Sequence, residues 1–180
     1  MRATILTFSG GVETGKTTIS RAVAERLSWQ WGSFGDYVRR EADRRCLDAR
    51  DRRTLEDLGQ SLVSVAPDAF VSSFLSSIHW CNKLVLDGLR HVEVLNSLIR
   101  LTAPSRVALV LLDADFTVRT FRHRDDGESG DLQSIDDHPA ERQVFTVLRD
   151  RAELRLDSSG SREGCITTVL DWVKTNLADS

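Results

Sequence analysis

A chain of 180 residues, of which 41% are hydrophobic, is long enough for one compact domain with a sizeable core and too short for two full domains. Its formal net charge of −3 has the wrong sign for a protein that coats nucleic acid, so any anion must be bound by locally placed basic residues. No stretch approaches the roughly 20 consecutive apolar residues of a membrane span, which argues against a membrane protein.

The three cysteines are scattered along the chain, at Cys46, Cys81 and Cys165. They lack the close pairing of a zinc knuckle or a redox dithiol, so we predict reduced and chemically inert thiols. The N-terminus has no long apolar segment followed by a small-residue cleavage site. Together these features predict a cytoplasmic location.

The first predicted elements are a strand over residues 3–8 and a helix over residues 16–27, joined by a glycine-rich turn. The turn reads Ser9-Gly10-Gly11-Val12-Glu13-Thr14-Gly15-Lys16-Thr17-Thr18 and matches the phosphate-loop template, also called Walker A. Glycines let the backbone curl around a multiply charged anion, and the following helix adds its positive end. The alternative, a chance match in a glycine-bearing turn, is disfavoured because the required strand and helix flank it. We therefore expect residues 10–18 to bind the phosphates of a nucleotide.

Three helices in succession follow a short predicted strand at residues 29–34. The helices are expected at residues 37–45, at residues 51–63 and from Pro67 onwards, the last carrying apolar residues at helical spacing. Since no strand separates them, we predict an inserted helical lobe over approximately residues 36–80.

Residues 83–88 and 107–113 are unbroken apolar runs, which is typical of parallel strands buried on both faces. A helix is predicted between them at residues 92–101. A short basic helix at residues 116–124, a mobile polar loop at residues 125–131 and a helix restarting at residues 137–139 come next. A short strand at residues 154–156 and a helix at residues 164–177 close the chain.

This order predicts a three-layer α/β fold, with a parallel sheet of about five strands and helices on both faces. The whole chain, residues 1–180, is expected to form one domain with a phosphate loop, the helical substrate lobe and a short lid at approximately residues 115–137. Ligands bind at the carboxyl ends of the strands in such folds, where Asp36, Asp87 and Asp113 are also expected.

Asp87 closes a buried strand and is the predicted magnesium ligand, together with the hydroxyl of Thr17. The alternative role for Asp87 is to cap the turn at Gly88. Arg90 follows the turn, and its guanidinium suits a second phosphate, although a surface ion pair with Glu93 is the alternative.

Asp36 and Arg39 are about one helical turn apart, so both are expected near the start of their helix and beside the same cleft. Lys16 is expected to reach the terminal phosphates of the nucleotide. Glu13 is an unusual neighbour for phosphates and is expected to point to solvent or to contact the acceptor.

Three further arginines, Arg119, Arg122 and Arg124, precede the polar loop at near-helical spacing. They could neutralise charge at a transferring phosphoryl group, and with Lys16 and Asp87 they complete the predicted catalytic set. A solvated basic face balanced by Asp125 and Asp126 is the alternative for each of them. The four histidines lack the spacing of a metal site. Only His91 is a candidate site residue, because it adjoins Arg90.

These motifs together resemble the nucleoside monophosphate kinase group of phosphate-loop proteins, in particular the adenylate-kinase-like and dephospho-CoA-kinase-like small kinases. The segment Gly35-Asp36-Tyr37-Val38-Arg39 resembles the Gly-Asp-x-x-Arg segment around the acceptor phosphate. The segment Leu86-Asp87-Gly88-Leu89-Arg90 resembles the Asp-Gly-Phe-Pro-Arg segment of these kinases, and residues 119–124 resemble their lid. The resemblance implies Mg²⁺-dependent transfer of the γ-phosphoryl group of ATP, with Asp36, Arg39 and Arg90 holding the acceptor.

Several residues depart from the family pattern. His91-Val92-Glu93 replaces the Thr-x-x-Gln continuation with which adenylate kinases read adenine, which argues against AMP as acceptor. The Asp-Arg-Tyr signature of thymidylate kinases is absent, and the lid has no cysteines for zinc. The expected partners are ATP, Mg²⁺ and a small anionic, nucleotide-like acceptor, without nucleic acid or membrane. The alternative function is an ATPase switch or assembly factor that acts on a protein partner.

Overall fold

The computed structural model describes residues 3–125 and 131–177, so part of the predicted polar loop lies outside the described residues. Its five strands are β1 (Thr4–Gly10), β2 (Gln30–Ser33), β3 (Lys83–Asp87), β4 (Arg106–Asp113) and β5 (Leu154–Asp157). They form one parallel sheet in the order β2-β3-β1-β4-β5. The prediction of a parallel sheet of about five strands is confirmed.

The helices surround this sheet. They are α1 (Lys16–Leu27), α2 (Phe34–Arg44), α3 (Arg52–Val65), α4 (Pro67–Ser76), α5 (Val92–Leu101), α6 (Phe116–Asp125), α7 (Leu132–Asp136), α8 (Pro139–Gln143), α9 (Arg149–Arg151) and α10 (Arg162–Asn176). A π-helical turn, Val144–Leu148, joins α8 to α9.

The apolar strands have core on both sides because every residue of β1 and nearly every residue of β3 and β4 is buried. One cluster packs α2, α3, α4 and α5 against one face, with Phe34 and Phe74 at its centre and their rings 4.2 Å apart. The other packs α1 and α10 against the opposite face around Phe8 and Val169. The three predicted layers are therefore present.

The structure departs from the predicted elements most clearly at the start of α2 and in the lid region. Helix α2 begins at Phe34 instead of residue 37, because the Ser33 hydroxyl caps it by accepting a hydrogen bond from the Asp36 amide at 3.2 Å. The region predicted as a lid contains α7, a short helix that the polar sequence did not indicate.

The fold brings the carboxyl ends of β1 and β3 together, so that the turn after β1 faces the loop after β3. The Leu89 amide donates to the Phe8 carbonyl at 3.0 Å, and the Ser9 hydroxyl donates to the Leu89 carbonyl at 2.6 Å. These bonds fix the two loops against each other. Within the described ranges, no helix has both the length and the apolar character needed to cross a membrane.

Candidate active site

The turn between β1 and α1 has the backbone that its glycines predict. Gly10 and Gly15 both have positive φ, of 149° and 79°, and a side chain at Gly10 would collide with the Leu112 carbonyl. Gly15 is the N-cap of α1 and provides no side-chain cap, so the first amides of that helix remain available to an anion.

Lys16 lies inside this turn, where its Nζ donates a hydrogen bond to the Gly11 carbonyl at 2.6 Å. The residue is buried, and burial together with the nearby Arg90 lowers the pKa of Lys16 to about 7, although Asp87 opposes the shift. An anion beside the amine would favour its charged form. This position is compatible with the predicted role of Lys16 at the phosphates of a nucleotide.

Thr17 and Asp87 meet across the cleft, where the Thr17 hydroxyl donates to Asp87 Oδ2 at 2.7 Å. Asp87 is buried, its Oδ1 has no hydrogen-bond partner within the described residues, and burial raises its pKa. A buried carboxylate oxygen without a partner fits a hard cation, and Mg²⁺ needs few protein ligands because it keeps several waters. Thr17 and Asp87 are therefore the candidate magnesium site. The described chain has no cluster of three or more His, Cys, Asp or Glu that could hold a metal ion.

Arg119 and Arg122 support the outer side of the phosphate loop. Arg119 is buried; its Nε donates to the Val12 carbonyl at 2.7 Å, and its two terminal nitrogens pair with Asp136 at 2.6 and 3.0 Å. Arg122 donates to the Glu13 carbonyl at 3.1 Å and to the Ser158 carbonyl at 2.7 Å. Both arginines therefore hold the loop through its backbone carbonyls.

The remaining residues near the lid are placed differently. The Glu13 side chain is only 14% exposed and lies 3.3 Å from Nδ1 of buried His123, so the expectation that it points to solvent is wrong. Arg124 is exposed, as the solvated alternative predicts. Asp113 pairs with Arg149 at 3.5 Å and lines a separate cleft of about 430 Å³, away from Asp36 and Asp87.

A cavity of about 610 Å³ opens beside the phosphate loop and is lined by Lys16, Thr17 and Asp87 at one end. Two of the predicted acceptor residues, Asp36 and Arg39, line it from α2, and they pair with each other at 3.0 Å. Of the predicted nucleotide-binding residues, Lys16 and Thr17 therefore line the same cavity as Asp87, Asp36 and Arg39.

The third predicted acceptor residue, Arg90, lines the same cavity and forms an ion pair with Glu141 of α8, whose side chain is fully buried. The surface pair with Glu93 that the sequence allowed is not formed; Glu93 instead accepts a hydrogen bond from Gln143 at 3.3 Å. The Arg90 guanidinium therefore lies at the cavity wall beside a buried carboxylate.

No family model matches the sequence. The chain is 30% identical to UPF0200 protein PAE1629 of Pyrobaculum aerophilum over 151 residues, which are 84% of this chain and 78% of that protein. It belongs to the UPF0200 family.

Solved structures place the fold of this UPF0200 protein among phosphate-loop kinases. The shikimate kinase of Aquifex aeolicus superposes with a TM-score of 0.60 at 16% identity, over 98% of this chain and 99% of that one. The Acinetobacter baumannii shikimate kinase in complex with shikimate gives 0.61 at 15% identity, over 98% and 95%. A gluconokinase of Sinorhizobium meliloti gives 0.55 at 14% identity, over 99% and 98%. The predicted likeness to nucleoside-monophosphate-kinase-like folds is confirmed.

Three residues of the UPF0200 site were not found from the sequence. Arg52 lines the cavity from the first turn of α3. Asp136 of α7 pairs with Arg119, and Glu141 of α8 pairs with Arg90. Arg52 lies in the charged run 50–53, which has the composition of an ordinary solvated helix start. Partners of a buried charge can be far away in sequence, and no local pattern marks them.

Proposed function

We propose that this UPF0200 protein is a Mg²⁺-dependent phosphotransferase that moves the γ-phosphoryl group of ATP to a small anionic acceptor. The observation that carries the proposal is the shared cavity, in which Lys16, Thr17 and Asp87 lie at one end and Asp36, Arg39 and Arg90 line the wall. The likeness to small-molecule kinase folds supports the same reading. Nucleotides or nucleotide-like molecules are the first acceptors to be tested, and the scattered thiols favour a cytoplasmic location.

In this proposal the chain acts by positioning and by charge. The amides at the start of α1 and the Lys16 ammonium hold the ATP phosphates, while Arg119 and Arg122 keep the loop in shape. Thr17 and Asp87 would hold Mg²⁺, which neutralises phosphate charge when bound. Arg90, fixed by Glu141, orients the acceptor.

The reaction forms a bond between an acceptor oxygen and the γ-phosphorus and breaks the bond from that phosphorus to the bridging oxygen, so that ADP leaves. A phosphate or carboxylate acceptor attacks as an anion and needs no base. A hydroxyl acceptor must lose a proton, and Asp36 is a half-buried carboxylate at the cavity wall that can take it.

The proposal is tested with purified protein, MgATP and a panel of nucleoside monophosphates and other small anions, by measuring ADP and phosphorylated product. Lys16→Met and Asp87→Asn are each expected to lower turnover by about 100-fold or more, because each removes charge that faces the phosphates or the metal. Lys174→Met, at an exposed position of α10, serves as the control and should leave turnover unchanged. Unchanged turnover in Lys16→Met would refute the proposal, and ATP hydrolysis without any phosphorylated product would favour the ATPase switch.

A further inference from the structure

The acceptor end of the cavity carries more positive than negative charge. Arginines from three parts of the chain line it: Arg39 on α2, Arg50 and Arg52 around the start of α3, and Arg90 after β3. In the described part of the chain, Arg50 forms no side-chain ion pair, and its backbone amide alone bonds Asp48. Such a surplus at a cavity wall is the charge pattern of an anion site.

The neighbouring carboxylates do not balance this charge. Asp36 is shared between Arg39 at 3.0 Å and Arg21 at 3.9 Å. Glu56 lies 3.9 Å from Arg52, a distance too long for a hydrogen bond.

Glu141 is the remaining carboxylate at this end, and it forms an ion pair with Arg90. Four guanidinium groups line this end and a fifth, that of Arg21, lies outside the lining beside Asp36, so that five stand against the carboxylates of Asp36, Glu56 and Glu141. The surplus is two positive charges. This is the charge of a phosphomonoester dianion.

Three of the arginines also act on one another. Burial lowers the pKa of Arg90; the charges of Arg52 and Arg39 lower it further, while Glu56 and Asp87 oppose the shift. Like charges that converge in a cavity destabilise the ligand-free protein, and a dianion between them removes the repulsion. Guanidinium groups from three elements suit the three oxygens of a phosphate group.

Much of the rest of the cavity wall is apolar. Val38, Leu55, Val63, Phe70 and Val94 all contribute to it. Within the described residues, no asparagine or glutamine lines the cavity. The uncharged polar side chains in the lining are Thr17, Ser33 and His91, which are few for reading the edge of a nucleobase, while an apolar group would gain by burial.

We propose that Arg52, together with Arg39 and Arg90, binds the phosphate of an acceptor whose remaining body is apolar, such as a phosphomonoester of a small hydrocarbon or ring compound. This inference rests on the proposed function of the cavity as the acceptor site. It narrows the acceptor from small anions in general to phosphomonoesters without a nucleobase, and it assigns Arg52 to acceptor recognition.

The test is a binding titration with a non-hydrolysable ATP analogue and Mg²⁺ already saturating the phosphate loop. The probes are phenyl phosphate, inorganic phosphate, phenol and a set of nucleoside monophosphates. Phenyl phosphate should bind about tenfold more tightly than inorganic phosphate or phenol, because only it has both the dianion and the apolar body. It should also bind more tightly than the nucleoside monophosphates.

Arg52→Gln should weaken phenyl phosphate binding by about tenfold or more, since one charge-assisted contact is lost. Arg53→Gln is the matched control, because Arg53 is the next residue of the same helix, is exposed and does not line the cavity. The Arg53→Gln variant should bind phenyl phosphate with the affinity of the wild type. Equal affinities of the Arg52→Gln variant and the wild type, or tighter binding of a nucleoside monophosphate than of phenyl phosphate, would overturn the inference.

Two measurements separate this inference from the proposed function. The affinity of the ATP analogue, determined first, tests the nucleotide site alone and should not change in Arg52→Gln. The melting temperatures of the two variants show whether both are folded. Turnover could be absent with every acceptor tested while the binding of phenyl phosphate still depends on Arg52. In that case the proposed function fails, but the inference of an acceptor site at Arg52 stands.

Discussion

Lys16 and Asp87 show how burial prepares single residues for a ligand. The pKa of Lys16 is lowered and that of Asp87 is raised, in both cases mainly by burial, so each charged form is disfavoured before ligands bind. The phosphates of a nucleotide would favour the ammonium, and a cation would favour the carboxylate. The binding of a nucleotide and of Mg²⁺ would thus offset the unfavourable free energy of burying the charged forms of Lys16 and Asp87.

His91 should make the stability of the ligand-free protein depend on pH. It is buried at the N-cap of α5, its Nδ1 has no hydrogen-bond partner within the described residues, and burial lowers its pKa to about 4. Between that value and an unfolded pKa of about 6.5, the unfolded chain binds more protons than the folded one. Stability should therefore fall as pH falls through this range, and His91 alone should cost about 2 kcal/mol between pH 7 and pH 5.

The free energy of unfolding, measured by urea titration at pH 7 and pH 5, tests this expectation. In His91→Gln the loss of stability between the two pH values should be smaller than in the wild type by about 2 kcal/mol. His79→Gln, at an exposed position, should retain the wild-type pH dependence. The same pH dependence in His91→Gln and the wild type would show that His91 does not stay neutral in the folded protein.

Two short helices, α7 and α8, contact residues on both sides of the site. Asp136 at the end of α7 pairs with Arg119 behind the phosphate loop, and Glu141 of α8 pairs with Arg90 at the acceptor wall. Gln143 at the end of α8 accepts a hydrogen bond from the Val92 amide at 2.7 Å. These two short helices therefore connect the nucleotide side of the site with its acceptor side.

Asp136→Asn tests that connection. The Arg119 and Asp136 side chains are only 4% and 12% exposed, so the change leaves a buried guanidinium without its counter-charge. Loss of one partner of a buried pair is expected to lower the free energy of unfolding by about 3 kcal/mol. Asp137→Asn, at the exposed neighbouring position, is the control, and chemical denaturation of both variants provides the measurement. Equal stabilities would mean that the pair contributes nothing.

The contrast between α7 and the strands shows what the sequence could predict at this scale. β3 and β4 were predicted because strands buried on two faces need unbroken apolar runs, and β1 because it carries the phosphate-loop template. α7 has five residues and only Leu132 buried, so no periodic pattern was available. The positions of Arg90 and Arg39 followed from their distance to strand and helix ends, whereas Arg52 depends on how α3 packs, which local sequence does not encode.

In the whole molecule, the cavity lies between the two sides of the fold. α1 packs with α10 on one face of the sheet, while α2, α3 and α5, which contribute to the acceptor wall, pack on the other. A nucleotide on the phosphate loop would contact the start of α1 and the loop after β3 together. Its binding energy should therefore stabilise the whole fold, because local unfolding of either side would destroy the site.

A thermal shift measures this coupling. At a concentration of a non-hydrolysable ATP analogue about 100 times its Kd, with Mg²⁺, binding to the folded state adds about 2.7 kcal/mol of stability. For a domain of this size the melting temperature should rise by about 5–10 °C. Lys16→Met should lose most of the shift because the phosphates lose their ammonium partner, while Lys174→Met should keep it. A shift of equal size in Lys16→Met would mean that the analogue binds elsewhere, and a single cooperative transition in the wild type is required for the two sides to act as one unit.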